Sequence, residues 1–368
     1  MSTGNKQMSS VEEITPRGRV EQALRGGHAD RVPFTMYANK IPQTAMERSM
    51  RNRGLCIVRR MAVFSTHRPN VKTTSHTYVE DGKTHVRTVH ETQAGELSTV
   101  SEPAGFTSWI HEKMFKTPDD YPALLAFIED ECYEPAYAAY ARAEEAAGPD
   151  AIFRAAFGLE PLQTLISGTL IAMQDFCMQW MENRDEVLRL YEAIVANRRK
   201  IYPLVAESPA LHANYGGNVV PEIIGLDTFR ECYVPHYDEA AEIMHAHGKL
   251  IGSHLDANCG LLAEAVAGTG LDYIEAFTPA PDTDLTLAEA RRAWPDKVLW
   301  LNFPSSVHLQ SDADVQRATV ALLDEAGTPD GLIMGVTEDT PPHRGQDSCR
   351  AVMDGLDEHA RLHPNLYA

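Results

Sequence analysis

The segment Gly248-Lys-Leu-Ile-Gly-Ser-His-Leu-Asp-Ala-Asn-Cys-Gly260 decides how the rest of the chain is interpreted. Gly248 follows a helical pattern, and glycine commonly ends helices because it adopts the left-handed conformation readily. The short apolar run after it predicts a buried parallel strand over Leu250–His254. Polar side chains begin where that strand ends. The segment therefore predicts a helix, a buried strand and a functional loop in immediate succession.

The alternation of strand and helix continues from residue 151 to the end of the chain. Apolar runs predict strands at Ala151–Phe157, Leu211–Tyr215, Leu250–His254, Tyr273–Phe277, Val298–Phe303 and Leu332–Val336. Helical patterns separate or follow them at 161–181, 185–207, 227–247, 259–269, 285–294 and 312–326. With a first strand near Val32 and one strand not located, the count approaches eight and predicts an α/β fold, a (β/α)8 TIM barrel. A doubly wound open sheet is the alternative, although no GxGxxG motif of a dinucleotide-binding sheet follows the first strand.

The N-terminal third of the chain has a different pattern. Residues 1–14 are expected to form a polar leader, and Thr15-Pro16 to start a helix as N-cap and first helical residue. Residues 42–66 have a helical apolar pattern. Residues 71–101 contain β-rich runs around Asp81-Gly82, the strongest short hairpin signal. We therefore expect an antiparallel β-meander inserted near residues 71–101.

Composition limits the function classes. The chain has 368 residues and a formal net charge of −19, which argues against a nucleic-acid partner. No apolar run approaches the roughly 18 residues of a membrane span, and the N-terminus lacks a signal-peptide pattern. The six cysteines show no CxxC spacing. We expect a single domain over residues 1–368, a reduced cytoplasmic enzyme without membrane contact, and a homodimer by the general prior for such enzymes.

Candidate catalytic and metal-binding groups cluster after the strand Leu250–His254. His254 and Asp256 lie on the same side of an extended segment because side chains alternate with period two. In a barrel, Glu338 would reach the same mouth from the last strand. One interpretation is a zinc site formed by His254, Cys259 and Glu338, with Asp256 as a further ligand or orienting group. The alternatives are a His–Asp acid/base pair, or a buried histidine bonded to aspartate with Cys259 as an apolar filler.

Other polar side chains are predicted to lie at or just after the strand ends of the barrel, where ligands bind. We take His254, Asp256 and Glu338 as catalytic candidates. The candidate substrate-binding residues are Tyr37, Asn39, His212, Asn214, Asn218, Glu275 and Asn302.

Several short motifs resemble those of a known superfamily. They are Thr15-Pro-Arg-x-Arg-Val20, Asp30-Arg-Val-Pro33, Ala246-His-Gly-Lys-Leu250 running into His254, and Thr340-Pro-Pro342. Their order over most of the chain resembles the uroporphyrinogen decarboxylase superfamily, which implies a (β/α)8 barrel. That superfamily contains decarboxylases, which carry an arginine-rich stretch after the first strand, and corrinoid-dependent methyltransferases. Here residues 37–44 contain no arginine, so the chain is more similar to the methyltransferase branch.

The resemblance implies a small methylated substrate, a cobalamin carried by a separate protein, and zinc. Many members of this branch bind zinc through His-x-Cys and a later Cys. Here His254 matches the histidine, Asp256 replaces the first cysteine, and Met334 or Glu338 stands near the later one. This substitution favours an oxygen-rich site, as a demethylase of methoxy or methylamine-like compounds would use. A metal-free decarboxylase that uses Asp256 or Glu338 for proton transfer is the alternative, and a ligand-binding protein without catalysis is a third hypothesis.

Overall fold

Eight parallel strands close into a barrel in the computed structural model, which describes residues 14–28, 30–105 and 107–368. Residues 1–13 of the expected polar leader lie outside the described residues. The strands are β1 Phe34–Tyr37, β2 Leu55–Arg60, β3 Phe64–His67, β4 Lys72–Glu80, β5 Lys83–Thr92, β6 Gly95–Ala104, β7 Thr107–Glu112, β8 Cys132–Pro135, β9 Ala151–Gly158, β10 His212–Tyr215, β11 Leu250–His254, β12 Tyr273–Phe277, β13 Val298–Leu301 and β14 Leu332–Val336. The barrel order is β1-β14-β13-β12-β11-β10-β9-β2. The (β/α)8 prediction is confirmed.

Helices connect the barrel strands and cover the outside of the barrel. They are α1 Pro16–Leu24, α2 Ala45–Asn52, α3 Tyr121–Glu129, α4 Tyr137–Ala147, α5 Pro161–Ser167, α6 Met173–Glu182, α7 Arg184–Ala206, α8 Pro221–Cys232, α9 Val234–Ala246, α10 Ala263–Ala267, α11 Leu287–Ala293, α12 Asp312–Ala326 and α13 Gly345–Leu362. Short 3-10 turns occur at Pro118–Asp120, Cys259–Leu262, Val307–Leu309 and Pro364–Leu366.

The strand that sequence reasoning did not locate is β2. The expected helix over 42–66 is wrong in its second half, because α2 ends at Asn52 and the chain enters β2 at Leu55. Leu55, Cys56 and Val58 are at most 1% exposed, and β2 pairs in parallel with both β1 and β9. Four consecutive buried apolar residues read equally well as helix or strand. Closure of the barrel selects the strand.

The predicted hairpin is confirmed and belongs to a larger sheet. β4 and β5 pair in register around Asp81 and Gly82, whose positive φ values of 49° and 76° suit a two-residue hairpin turn. β6 and β7 complete a four-stranded antiparallel sheet, β4-β5-β6-β7. This sheet packs on α3, where the His90 ring lies 4.9 Å from the Phe127 ring. A second small sheet, β3-β8, was not predicted.

The barrel interior is layered, and its lower layers are apolar. Helix α1 begins with the predicted Thr15 cap, whose Oγ accepts from the Gly18 amide. Its residues Val20, Ala23 and Leu24 cluster with the interior side chains Cys56, Val58, Ile152, Val298 and Ile333. Above them Trp300 donates through Nε1 to Thr35 Oγ1 at 2.9 Å. Because α1 closes the N-terminal end of the barrel, the interior opens only toward the carboxyl ends of its strands.

The single-domain assignment stays a prediction. In the part of the chain that the structure describes, no helix is both long and apolar enough to cross a membrane.

Candidate active site

The uppermost layer of the barrel interior is polar. The parallel register sets His254 on β11 directly against Glu275 on β12, and Arg60 on β2 against Arg154 on β9. Tyr37 and Asn214 reach the same layer from β1 and β10. Because side chains alternate along a strand, only every second residue of a strand points into the barrel interior. The layer lies at the carboxyl ends of the strands, where barrel enzymes bind their substrates.

Glu275 is the centre of this layer and is fully buried. Its Oε2 lies 2.7 Å from Arg154 Nη1 and 2.8 Å from His254 Nδ1, and it accepts from Asn214 Nδ2 at 2.9 Å. Its Oε1 accepts from the Tyr37 hydroxyl. Burial alone would raise the pKa of Glu275, but Arg154 and His254 hold the pKa well below its usual value. Glu275 is therefore a fixed anion inside the barrel.

The backbone beside Glu275 departs from regular β geometry. Ala276 has a positive φ of 60°, and the register between β12 and β13 shifts between Glu275 and Phe277. A bulge of this kind changes the direction in which side chains point, and non-glycine residues rarely adopt that φ. This strained backbone lies next to the carboxylate that contacts His254. Backbone strain is often found at functional sites.

His254 joins Glu275 to two further carboxylates at the mouth. Its Nε2 lies 3.4 Å from Asp256 Oδ2 and 3.9 Å from Glu338 Oε1. Burial alone would lower the pKa of His254, but the carboxylates of Glu275 and Asp256 raise it to about 10. The imidazole therefore lies between a buried anion on one side and two partly exposed anions on the other.

The donor set fits a divalent metal ion. One ligand-type atom from each of His254, Asp256 and Glu338 lies within 4.8 Å of the others. One nitrogen and two oxygens suit zinc and similar ions, and three protein ligands leave a position for substrate. Glu275 at Nδ1 fixes the ring so that Nε2 points to the other two residues, as outer carboxylates do for metal-binding histidines.

Asn302 positions the loop that carries Glu338. Its side-chain Oδ1 accepts from the backbone amides of Thr337 at 3.0 Å and Glu338 at 3.3 Å. Its Nδ2 donates to Thr278 Oγ1 at 3.2 Å. Asn302 is 2% exposed. Its hydrogen bonds therefore support the loop that follows β14.

Cys259 does not join the His254 cluster. It lies in the turn Cys259–Leu262, is 1% exposed and packs in the apolar core. Burial raises the pKa of its thiol to about 12, with Asp256 adding to the effect. The structure thus brings together His254, Asp256 and Glu338 of the predicted ligands and sets Cys259 apart from them.

Apart from Asn302, the candidate substrate-binding residues fall into two groups, and the role of all seven stays a prediction. Tyr37, His212, Asn214 and Glu275 are at most 3% exposed and contact one another beneath His254. The neighbouring Tyr273 connects two of them. Its hydroxyl lies 3.0 Å from His212 Nδ1 and 2.7 Å from Asn214 Oδ1. Asn39 and Asn218 are exposed at the mouth.

Glu160 is a buried acid just after a predicted strand that is not among the candidate site residues chosen from the sequence. It follows β9, is fully buried, accepts from the Tyr237 hydroxyl and lies 3.3 Å from the Gly217 amide. A Cβ on Gly216 would stand 1.7 Å from Glu160 Oε1, so the glycine there makes room for the carboxyl. Burial raises the pKa of Glu160 to about 7. A charged residue after an apolar strand, facing paired glycines in the next loop, was the available signal.

Comparison with known proteins supports the fold. No protein-family model matches the chain, and no curated protein matches it in sequence. Among solved structures the chain is similar to a methyltransferase from Methanosarcina mazei, with a TM-score of 0.55 and 11% sequence identity. The match covers 94% of this chain and 99% of that one. At this identity the likeness shows a shared barrel fold.

The buried ion pair leads to a stability prediction. Replacing Glu275→Gln leaves the Arg154 charge buried without a counter-ion, and we expect a loss of about 3–5 kcal/mol in the free energy of unfolding. Glu239→Gln is the matched control, because it breaks the Arg199–Glu239 pair of similar length, 2.8 Å, with Arg199 58% exposed. That exposed pair should contribute less than about 1 kcal/mol. Urea denaturation measures both, and equal losses would contradict a central role for Glu275.

The raised pKa of Glu160 leads to a pH prediction. The folded protein holds this proton up to a pKa of about 7, whereas an exposed glutamate has a model value of 4.5. The contribution of the protonated Glu160 to the free energy of unfolding is therefore complete below pH 4.5 and is lost as pH rises through about 7. Relative to Glu160→Gln, the wild type should lose about 3 kcal/mol between pH 4 and pH 8. The exposed Glu242→Gln on α9 serves as control and should show no such trend; a flat difference for Glu160→Gln would refute the assignment.

Proposed function

We propose that this protein is a metal-dependent methyltransferase of a corrinoid-dependent demethylation system. It moves a methyl group between a small O-, N- or S-methylated substrate and a cobalamin protein, or a folate or thiol acceptor. The observation that carries the proposal is the convergence of His254, Asp256 and Glu338 above the buried Glu275. The motif resemblance to the uroporphyrinogen decarboxylase superfamily and the methyltransferase with the same fold support it.

The chemistry requires stabilisation of negative charge on a heteroatom. When a methyl group leaves oxygen, nitrogen or sulfur for a nucleophile, the electron pair of the broken bond stays on the heteroatom. A divalent ion held by His254, Asp256 and Glu338 would stabilise that charge as a Lewis acid. Zinc is the ion that we propose, with Asp256 in the place of the sulfur ligand. Glu275 fixes the imidazole, and Asn302 holds the loop of Glu338 in place.

The corrinoid would be carried by a separate protein that approaches the open end of the barrel. We further propose a homodimer, since two-fold dimers are the commonest assembly of enzymes. Both partners are expectations that the first biochemical experiments on the purified protein can address.

A cavity beside the mouth favours a substrate with an anionic group. It has a volume of about 420 Å³ and is lined by Asn39, Arg59, Arg60 and Phe153, among others. Arg60 lies 4.6 Å from the Tyr37 ring centroid, and Tyr37 donates to Glu275. In the described part of the chain neither arginine pairs with a carboxylate, although the protein carries a net charge of −19. This observation also favours the second candidate function, a metal-free decarboxylase of a small carboxylated substrate.

Metal content tests the primary proposal. The purified wild type should hold zinc at the His254 cluster, and His254→Ala should contain one zinc fewer than the wild type and lose methyl transfer to reduced corrinoid. The control is His245→Ala, which removes an exposed histidine 2.9 Å from Asp272, away from the cluster. Elemental analysis and a methylated-substrate screen measure the two properties. If zinc supplied to the wild type is not retained at this cluster, the metal mechanism fails and the decarboxylase becomes the leading function.

The cavity arginines generate a separate prediction. The double change Arg59→Gln and Arg60→Gln should raise KM for carboxylate-bearing substrates at least tenfold, because a charge-assisted hydrogen bond contributes about 1.5–3 kcal/mol. KM for neutral methylated substrates should be unchanged. Arg317→Gln, on the exposed face of α12, is the matched control. Equal effects on charged and neutral substrates would show that the two arginines do not select for charge.

A further inference from the structure

A second group of metal-ligand side chains lies at the opposite end of the barrel. Asp324 is near the end of α12, His359 in the last turn of α13, and His363 at the C-cap of α13. Both helices follow barrel strands and run back from the mouth, so their ends lie far from His254. One ligand-type atom of each residue lies within 4.8 Å of the others.

The spacing of these atoms matches a coordination sphere. Asp324 Oδ1 is 3.1 Å from His363 Nε2 and 3.4 Å from His359 Nε2. Ligands about 2.0–2.1 Å from a tetrahedral zinc lie roughly 3.3 Å apart. His359 and His363 are four positions apart, which places two imidazoles on one face of a helix.

Helix packing fixes the position of the aspartate relative to the histidines. A Cβ on Gly355 would stand 2.6 Å from Thr319 Cβ, so α12 and α13 are in close contact there. Gly355 is one turn before His359, and Thr319 is five residues before Asp324. The close packing of α12 on α13 thus holds the Asp324 carboxylate beside the rings of His359 and His363.

The inner histidine has the support of a metal ligand. His359 is 2% exposed, and its Nδ1 lies 2.7 Å from the Tyr367 hydroxyl, which leaves Nε2 directed to Asp324 and His363. The side chains of Asp324 and His363 are 53% and 42% exposed, so an ion can reach the site from solvent.

A third group, His85, Glu102 and His111 on the four-stranded sheet, is a weaker candidate. There the Lys83 ammonium lies 3.1 Å from Glu102 and competes for the carboxylate. By contrast, among the residues that the structure describes, the ion-pair partners of Asp324 are His359 and His363.

We propose that Asp324, His359 and His363 form a second site for a divalent transition-metal ion, separate from the candidate active site. Two imidazole nitrogens and one carboxylate oxygen suit Zn²⁺, Co²⁺, Ni²⁺ or Cu²⁺, with water at the open position. The ion would join the end of α12 to α13 and, through Tyr367, to the C-terminal turn. Because it binds only the folded chain, it raises stability by mass action.

The test uses Co²⁺ as the probe, on full-length protein stripped of metal with a chelator. In a His254→Ala background, which silences the candidate active site, we expect one bound Co²⁺ by calorimetry, visible d–d absorption and a higher Tm. His363→Ala, Asp324→Asn and Tyr367→Phe should each weaken binding at least about tenfold. The matched control is His245→Ala, whose exposed His–Asp pair lacks a second histidine.

The outcomes separate this site from the proposed function. Loss of Co²⁺ binding in His363→Ala with retention in His245→Ala supports the site, whether or not His254 binds metal. Co²⁺ bound with unchanged affinity by His363→Ala or Asp324→Asn overturns it, as does the absence of binding in the His254→Ala protein. If the His254→Ala protein does not fold, the ligand variants His363→Ala and Asp324→Asn in the wild type should each lower the Co²⁺ stoichiometry by one while leaving turnover unchanged. An unchanged stoichiometry there also overturns the site.

Discussion

The candidate site depends on one buried carboxylate. Glu275 has no contact with solvent, yet it is charged, because Arg154 at 2.7 Å and His254 at 2.8 Å stabilise the anion and Tyr37 and Asn214 supply hydrogen bonds. Taking such charges out of water costs several kcal/mol each, and only a complete set of partners offsets it. This arrangement orients His254 from below. Without Glu275, His254 would lose the contact at Nδ1 that orients its Nε2 toward Asp256 and Glu338.

The barrel makes this arrangement possible through register. Parallel pairing aligns His254 with Glu275 directly across β11 and β12, and the Arg154 side chain reaches Glu275 from β9, three positions from β12 in the barrel. Closure then brings Tyr37 to Glu275, although 238 residues separate them in the chain. The bulge at Ala276 adjusts the direction of one side chain after the register is set. Local strain is tolerated there because the surrounding strands fix the backbone on both sides.

Sequence reasoning reached the fold because its signals are local. Buried runs such as Leu250–His254 and Tyr273–Phe277 have the bounds that were predicted, and Asp81-Gly82 marks a hairpin by turn chemistry alone. The strand β2 was missed because Leu55-Cys-Ile-Val58 fits helix and strand equally well until closure decides. In the same way His254 and Asp256 are neighbours in sequence and could be found, whereas Glu160 is defined by Tyr237 and Gly217. Those contacts exist only in the folded barrel.

The presence of carboxylates rather than a thiol beside His254 has a chemical consequence for the proposed metal site. Cys259, the thiol nearest in sequence to His254, is in the apolar core, and the groups beside His254 Nε2 are the carboxylates of Asp256 and Glu338. Carboxylate ligands donate less electron density than thiolates and leave a bound ion a stronger Lewis acid. A stronger Lewis acid favours polarising an oxygen or nitrogen that must leave over activating a thiol that must attack. If the proposed metal is bound there, this set of carboxylate ligands would favour removal of methyl groups from the substrate over their delivery to a thiol.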